Sequence, residues 1–295
     1  MLKKIIATAL KEDAATEDLT TKLVVPADQF AQAYIIVKEP AVLCGLRVVQ
    51  KVFQTLDKNI KFSPLHKDGD HVSSLTKIAK VQGKTRSILS GERTALNFLS
   101  YLSGIATKTN QFVQAVQPYK TLVMDTRKTT PGLRFLEREA VRCGGGANHR
   151  DRLDEMIFIK DNHWKALEAA GRSMSELICS VRKKNRKTIE IEVENLTQFK
   201  KVLEIQPDVI LLDNMSMGDM REAVRLNRIK RKSGRPLLEA SGGINLKNVR
   251  AVAQTGVDRI SIGELTHSRK SIDVSLELVL LRKMSIEAIQ KFLKT

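Results

Sequence analysis

The chain has 295 residues, of which 42% are hydrophobic, 28% charged and 4% aromatic, and its formal net charge is +17. That length is one large domain or two modest ones, with ample apolar content for a core and no run long and apolar enough to cross a bilayer. So basic a chain attracts polyanions, but a nucleic-acid binder would line a stripe of positives with stacking aromatics, which are scarce here.

At the N-terminus the basic start, Lys3-Lys4, is soon followed by Lys11, Glu12 and Asp13, which interrupt any signal-peptide core. Cys44, Cys143 and Cys179 are widely spaced, without metal-ligand spacing, and read as reduced thiols of a cytoplasmic protein. Strand-like stretches follow at Ala33–Val37 and Ile78–Val81. A long helix is predicted from Gly91 to Val116, because Leu96, Leu99, Leu102, Ile105 and Ala106 recur at three and four.

Near residue 120 the pattern changes. Short apolar runs occur at Thr121–Met124, Met156–Ile159, Ile189–Val193, Val209–Leu212, Leu237–Ala240 and Arg259–Ile262, separated by segments of helical length. Such alternation predicts buried parallel strands joined by helical crossovers. The runs close on Asp125 with Arg127 and Lys128, then on Lys160, Glu192, Asp213, Ser241 and Gly263. A barrel brings the carboxyl ends of all its strands to one face, where its active site sits. A Rossmann sheet would instead show GxGxxG after its first strand, and that is absent. The expected architecture is an α/β barrel over 118–274 preceded by a smaller α+β domain over 1–117, which a C-terminal helix over 275–295 rejoins. The basic clusters Arg182–Lys187 and Arg228–Arg235 read as solvated helix ends.

Three groups of residues carry the chemistry. Ser241-Gly242-Gly243-Ile244-Asn245 and Ile262-Gly263-Glu264-Leu265-Thr266 each follow a strand and are expected to open toward a helix. Their glycines would let backbone amides approach a phosphate, with the helix N-termini adding favourable partial charge. Glu192 and Asp213 end neighbouring strands, so they can accept from ribose hydroxyls or hold magnesium. A structural ion pair with a barrel lysine is the plainer reading of these acids, and alternation puts Glu190 and Glu194 on the same face as Glu192. Arg127, Lys128, His149, Arg150 and Lys160 form a cationic set that is costly to gather unless a multivalent anion occupies it.

At these residues the sequence resembles the quinolinate phosphoribosyltransferase family, also called nicotinate-nucleotide pyrophosphorylase (carboxylating). The matching stretches are EDLTT (17–21), GERTALNFLSYLSGIAT (91–107), DTRKTTPGLR (125–134) and GGGANHR (144–150), then IKDNH (159–163), EIEVEN (190–195), LLDNM (211–215), SGGI (241–244) and SIGELTHS (261–268). They run in order along nearly the whole chain.

The resemblance implies a type II phosphoribosyltransferase fold, an N-terminal α+β sandwich with an open α/β barrel. The implied reaction takes quinolinate and phosphoribosyl pyrophosphate, with Mg2+, to nicotinate mononucleotide, pyrophosphate and carbon dioxide, within NAD biosynthesis. Arg127, His149, Arg150 and Lys160 would hold the quinolinate carboxylates, with Thr126 beside them and Lys128 between substrate and pyrophosphate. Glu192 and Asp213 would bind ribose hydroxyls and metal, the metal being largely substrate-mediated. Ser241, Gly242, Gly243, Ile262, Gly263 and Glu264 would surround the 5-phosphate, with His267 close by. Lys128, Lys160, Glu192 and Asp213 are the implied catalytic residues. Arg93, on the long helix, would reach the active site of a neighbouring subunit, which implies a homodimer or a higher homo-oligomer with shared sites. On spacing alone Arg93 reads as a helix-surface residue.

The sequence departs from the family pattern at Glu17, Glu139 and Asp151-Arg152, which bear on loop shape and touch no implied contact. Two other functions are weighed: a same-fold enzyme for another pyridine carboxylate, and a basic nucleic-acid-binding protein. A single carboxylate would not require so many cations, and the key positives lie at strand ends rather than along a stripe. No nucleic-acid or membrane partner is expected.

Overall fold

The computed structural model describes residues 1–184, 186–230 and 234–280. The chain divides into two compact units. Unit 1 holds Met1–Lys108, Arg142–Gly145 and the chain from Arg269 onward, and unit 2 holds Thr109–Val141 and Gly146–Ser268.

Unit 1 opens with α1 (Leu2–Glu12) and α2 (Leu19–Val24). Asp18 caps α2, its carboxylate accepting from the Thr21 N–H at 3.0 Å. Next come β1 (Phe30–Val37), β2 (Ala41–Val42), α3 (Leu46–Leu56), β3 (Lys61–Pro64), β4 (His71–Val72), β5 (Thr76–Lys84) and the first part of α4 (Thr85–Ala115). The long helix thus begins at Thr85 rather than Gly91. Bare Gly91 lets α3 approach it, since a Cβ there would stand 2.9 Å from Leu56 and 3.1 Å from Phe53.

In unit 2 come β6 (Leu122–Met124), α5 (Arg134–Cys143), β7 (Ile157–Ile159), α6 (Asp161–Ala169), α7 (Met174–Lys184), β8 (Ile189–Val193) and α8 (Leu196–Ile205). They continue with β9 (Val209–Asp213), α9 (Met217–Lys230), β10 (Leu237–Ser241), α10 (Val249–Gln254), β11 (Arg259–Ser261) and α11 (Glu264–His267). The strands form one parallel sheet in the order β6-β11-β10-β9-β8-β7. The first strand therefore lies beside the last, as in a barrel, while among the described residues no ladder joins β6 to β7: the sheet is an open α/β barrel. All six strands fall within the predicted apolar runs or one residue beyond. Every residue of β8 is buried, including its two glutamates, because one face of the strand meets helices and the other meets the barrel interior.

The chain then enters unit 1 again as β12 (Val274–Leu280). This corrects the C-terminal helix expected over 275–295: as far as Leu280 the segment is a strand, and residues 281–295 lie outside the described ones. Val274, Leu276 and Leu278 alternate with Ser275, Glu277 and Val279, a period of two, and β12 completes the antiparallel sheet β12-β1-β5-β3. The segment before it lies against α4. Arg269 stacks over the Tyr101 ring at 4.1 Å, and Ser100 bonds the Ile272 carbonyl.

Gly104 makes that approach possible, because a Cβ there would lie 2.2 Å from the Lys270 carbonyl oxygen. Backbone cannot swing aside as a side chain can. Gly104→Ala is therefore expected to destabilise the protein by about 1–3 kcal/mol, despite the helix propensity alanine gains. A thermal midpoint equal to or above that of the unsubstituted protein would contradict this packing.

Candidate active site

Parallel strands put all their carboxyl ends on one side, and alternation then selects which side chains face inward. Phe158 and Lys160, Leu211 and Asp213, Glu239 and Ser241, and Ser261 and Gly263 are each two apart, and all line one cavity of about 920 Å³. Thr126, Arg127, Lys128, His149, Arg150, Glu192, Gly242, Gly243, Ile262, Glu264 and His267 line it as well. Its volume is at the upper end for small-molecule sites, room for two metabolites rather than one.

One wall is cationic. Phe158 packs its ring 4.7 Å from the Arg150 guanidinium and 5.1 Å from Lys160 Nζ, a cation–π arrangement that offsets the repulsion of two like charges. Burial, and then the neighbouring charge of Arg127, lower the pKa of Arg150. The Lys160 ammonium lies 2.8 Å from Glu192 Oε2; its side chain is 45% exposed, that of Glu192 6%. Lysine and glutamate thus hold each other at the mouth.

Asp125, at the end of β6, sets the loop that carries His149 and Arg150. It accepts the His149 N–H at 2.6 Å and the Asn148 amide at 2.7 Å, while Arg138 donates to the His149 carbonyl at 2.5 Å. Burial raises the pKa of Asp125, and those bonds oppose it.

His149 points inward from that loop. Its Nε2 lies 3.0 Å from Glu190 and 3.4 Å from Glu239, both carboxylates fully buried. Burial opposes charge on the ring, but the contacts with the two glutamates outweigh it and push its pKa up to about 10. The Arg150 N–H donates to Nδ1 at 2.8 Å, and burial raises the pKa of Glu190. The three groups lie within 4.8 Å of one another, a spacing a metal could bridge. Glu192, two residues on, faces the open cavity instead.

Opposite the cations lie the strand ends of β9 and β10. Asp213 is paired in register with Ser241, and Gly242 and Gly243 follow with φ of +90° and +60°, conformations glycine adopts without strain. No atom stands within 4 Å of where a Gly243 Cβ would be. At Gly263 a Cβ would press on Lys128 and His267, at 3.0 and 3.1 Å. The same loop holds Lys128 by its backbone, since the Thr266 hydroxyl donates to its carbonyl at 2.6 Å. One expectation changes: α10 starts only at Val249 and α11 is a single turn, so an anion here would meet glycine backbone rather than a long helix N-terminus.

Two family models divide the chain between them. The quinolinate phosphoribosyl transferase N-terminal domain matches residues 18–103 and the C-terminal domain residues 105–277. The chain belongs to the quinolinate phosphoribosyltransferase family. It is 40% identical to the probable nicotinate-nucleotide pyrophosphorylase (carboxylating) of Bacillus subtilis over 95% of this chain and 94% of that protein. A Synechocystis protein of the same name is 42% identical over 84% of this chain and 83% of its own length. The nicotinate-nucleotide pyrophosphorylase structure from Francisella tularensis superposes with a TM-score of 0.86 at 38% identity, covering 94% of this chain and 96% of that one.

In this member of the family every site residue expected from the sequence lines that cavity except Arg93, which is exposed on α4 in unit 1. Asp125, expected at the close of its strand, lines it too, and so do Phe158, Asn214, Glu239 and Ser261, which were not expected. Glu239 and Ser261 could have been found by counting two residues back from Ser241 and Gly263. Phe158 could have been found in the same way, two residues back from Lys160.

Proposed function

We propose that this chain is a quinolinate phosphoribosyltransferase that turns quinolinate and phosphoribosyl pyrophosphate into nicotinate mononucleotide, pyrophosphate and carbon dioxide. The observation that carries this reading is that one cavity gathers Arg127, Lys128, Arg150 and Lys160 together with Glu192, Asp213 and the backbone of Gly242 and Gly243. Arginine forks and a lysine point charge suit the two ring carboxylates. Carboxylates at the ends of β8 and β9 suit ribose hydroxyls, and the glycines suit the 5-phosphate. His149 lines the same cavity, its Nδ1 accepting the Arg150 N–H.

The pyridine nitrogen attacks C1 of the ribose as pyrophosphate departs. Lys128, bound into the β11 loop by Thr266, meets the departing charge electrostatically. The ring nitrogen becomes quaternary; when the adjacent carboxylate leaves as carbon dioxide, its bonding pair stays on C2, where the neighbouring positive nitrogen stabilises it, and C2 then takes a proton from solvent. Arg150 and Lys160 hold the ring in place meanwhile, and no nucleophilic side chain is needed. Magnesium fits the donor set: Asp213 offers carboxylate oxygen to a hard cation, and Glu192 does so in part, being shared with Lys160. Bound there, chiefly through substrate oxygens, it would neutralise pyrophosphate charge.

No described helix is long and apolar enough to cross a membrane, and we take the enzyme to act in the cytoplasm. We also take it to be a homodimer or higher homo-oligomer in which Arg93 serves a neighbour's site. The exposure of Arg93 and the confinement of the cavity to unit 2 support this.

With magnesium and phosphoribosyl pyrophosphate, the purified protein is expected to release labelled carbon dioxide from quinolinate labelled at its 2-carboxylate. Chelating the metal should stop the release and added magnesium restore it. Turnover of nicotinate with no carbon dioxide from quinolinate would sink the substrate assignment, and full activity in chelator would remove the metal.

A further inference from the structure

We infer that Asn214 is a positioning residue, locking the Asp213 carboxylate to the Ser241–Gly243 loop so that the ribose end and the phosphate end of one substrate are held in register. The inference rests on the functional reading above, in which Asp213 meets the ribose and the glycines meet the phosphate.

Four observations meet at this residue. Its φ is +52°, a left-handed conformation that few residues but glycine and asparagine adopt. Its N–H donates to the Ser241 carbonyl at 2.9 Å, extending the β9–β10 pairing one step past Asp213 and Ser241. Its side-chain Nδ2 donates to Asp213 Oδ2 at 2.9 Å. Its amide lies against Gly242, where a Cβ would stand 2.2 Å from Oδ1 and 2.4 Å from Cγ.

The left-handed turn explains how one residue reaches both neighbours. Had β9 continued, alternation would have sent residue 214 to the face opposite Asp213. Instead both side chains line the cavity. The turn brings the amide onto the carboxylate it fixes and over the glycine it fits. A charged acceptor held by an amide donor keeps one rotation before any ligand arrives, so less is lost when the ligand binds.

Three substitutions separate backbone from side chain. Asn214→Gly keeps the left-handed backbone and removes the amide. Asn214→Asp tolerates the backbone but sets a second carboxylate against Asp213. Asn214→Ala loses the amide and strains the backbone. Asn214→Gly is expected to leave the thermal midpoint near that of the unsubstituted protein and to raise KM for phosphoribosyl pyrophosphate about tenfold or more, with KM for quinolinate changed less than about threefold. Asn214→Asp should be worse than Asn214→Gly for that substrate. An Asn214→Gly variant with unchanged KM for phosphoribosyl pyrophosphate would overturn the inference, and so would equal rises in both KM values, the mark of general loosening. The unsubstituted protein is assayed first, so a failed functional reading shows there and a failed inference shows only in the variants.

Discussion

Lys160→Ala is expected to lower kcat/KM for quinolinate by about 10²–10³-fold, the loss typical of removing an electrostatic anchor from a shielded site. The ammonium lies 2.8 Å from Glu192, whose side chain is 6% exposed. Alanine therefore removes a cation the substrate needs and leaves a largely buried carboxylate uncompensated, which is the more damaging half of breaking such a pair. It also strips one of the two cations from the Phe158 ring. Arginine at this position should recover only part of the loss, because a planar fork cannot replace a movable point charge.

The same variant tests the shared site. If Arg93 of one subunit completes the cavity of another, Arg93→Ala alone should be nearly inactive. When it is mixed with Lys160→Ala and allowed to exchange subunits, each heterodimer regains one intact cavity, its Lys160 from one chain and its Arg93 from the other. Random pairing in a closed dimer then restores about one quarter of the sites. Activity that stays at the level of the two separate variants would rule out Arg93 as a residue contributed in trans.

Gly242→Ala should be nearly as severe, at the other end of the cavity. Its φ of +90° is unfavourable for any side chain, and the added Cβ would stand 2.2 Å from Asn214 Oδ1. Either the loop turns its amides away from the phosphate or Asn214 abandons Asp213. A loss of about 10²-fold in kcat/KM for phosphoribosyl pyrophosphate is expected, as for removing a set of fixed donors, with the fold intact by circular dichroism. Adding Asn214→Gly should relieve the collision but not the backbone strain, so the double variant should exceed Gly242→Ala alone. Strict additivity of the two losses would show that the residues do not press on each other.

The barrel was legible because its strands are buried on both faces and announce themselves as continuous apolar runs. Ile189–Val193 was bounded correctly to the residue. The strand β12 was missed although its apolar positions alternate, because the partner that holds it extended, β1, lies at the other end of the sequence. The start of α4 was placed late because Thr85–Ser90 carries little of the apolar periodicity that marks the rest of the helix.

The sequence by itself determined the inventory of the site: which strands exist, which residues end them, and that cations, acids and glycines alternate around one mouth. Period-two alternation and parallel pairing are local rules, so they can be read from spacing. Only the tertiary structure decided what each side chain faces. It placed the His149 ring, within the cavity, beside Arg150 and two buried glutamates, and it set Asn214 between Asp213 and Gly242. Those roles depend on distances of about 3 Å, the range within which hydrogen bonds form or fail, whether the partners are adjacent, as Asp213 and Asn214 are, or far apart, as His149 and Glu239 are, and residue spacing carries no information at that scale.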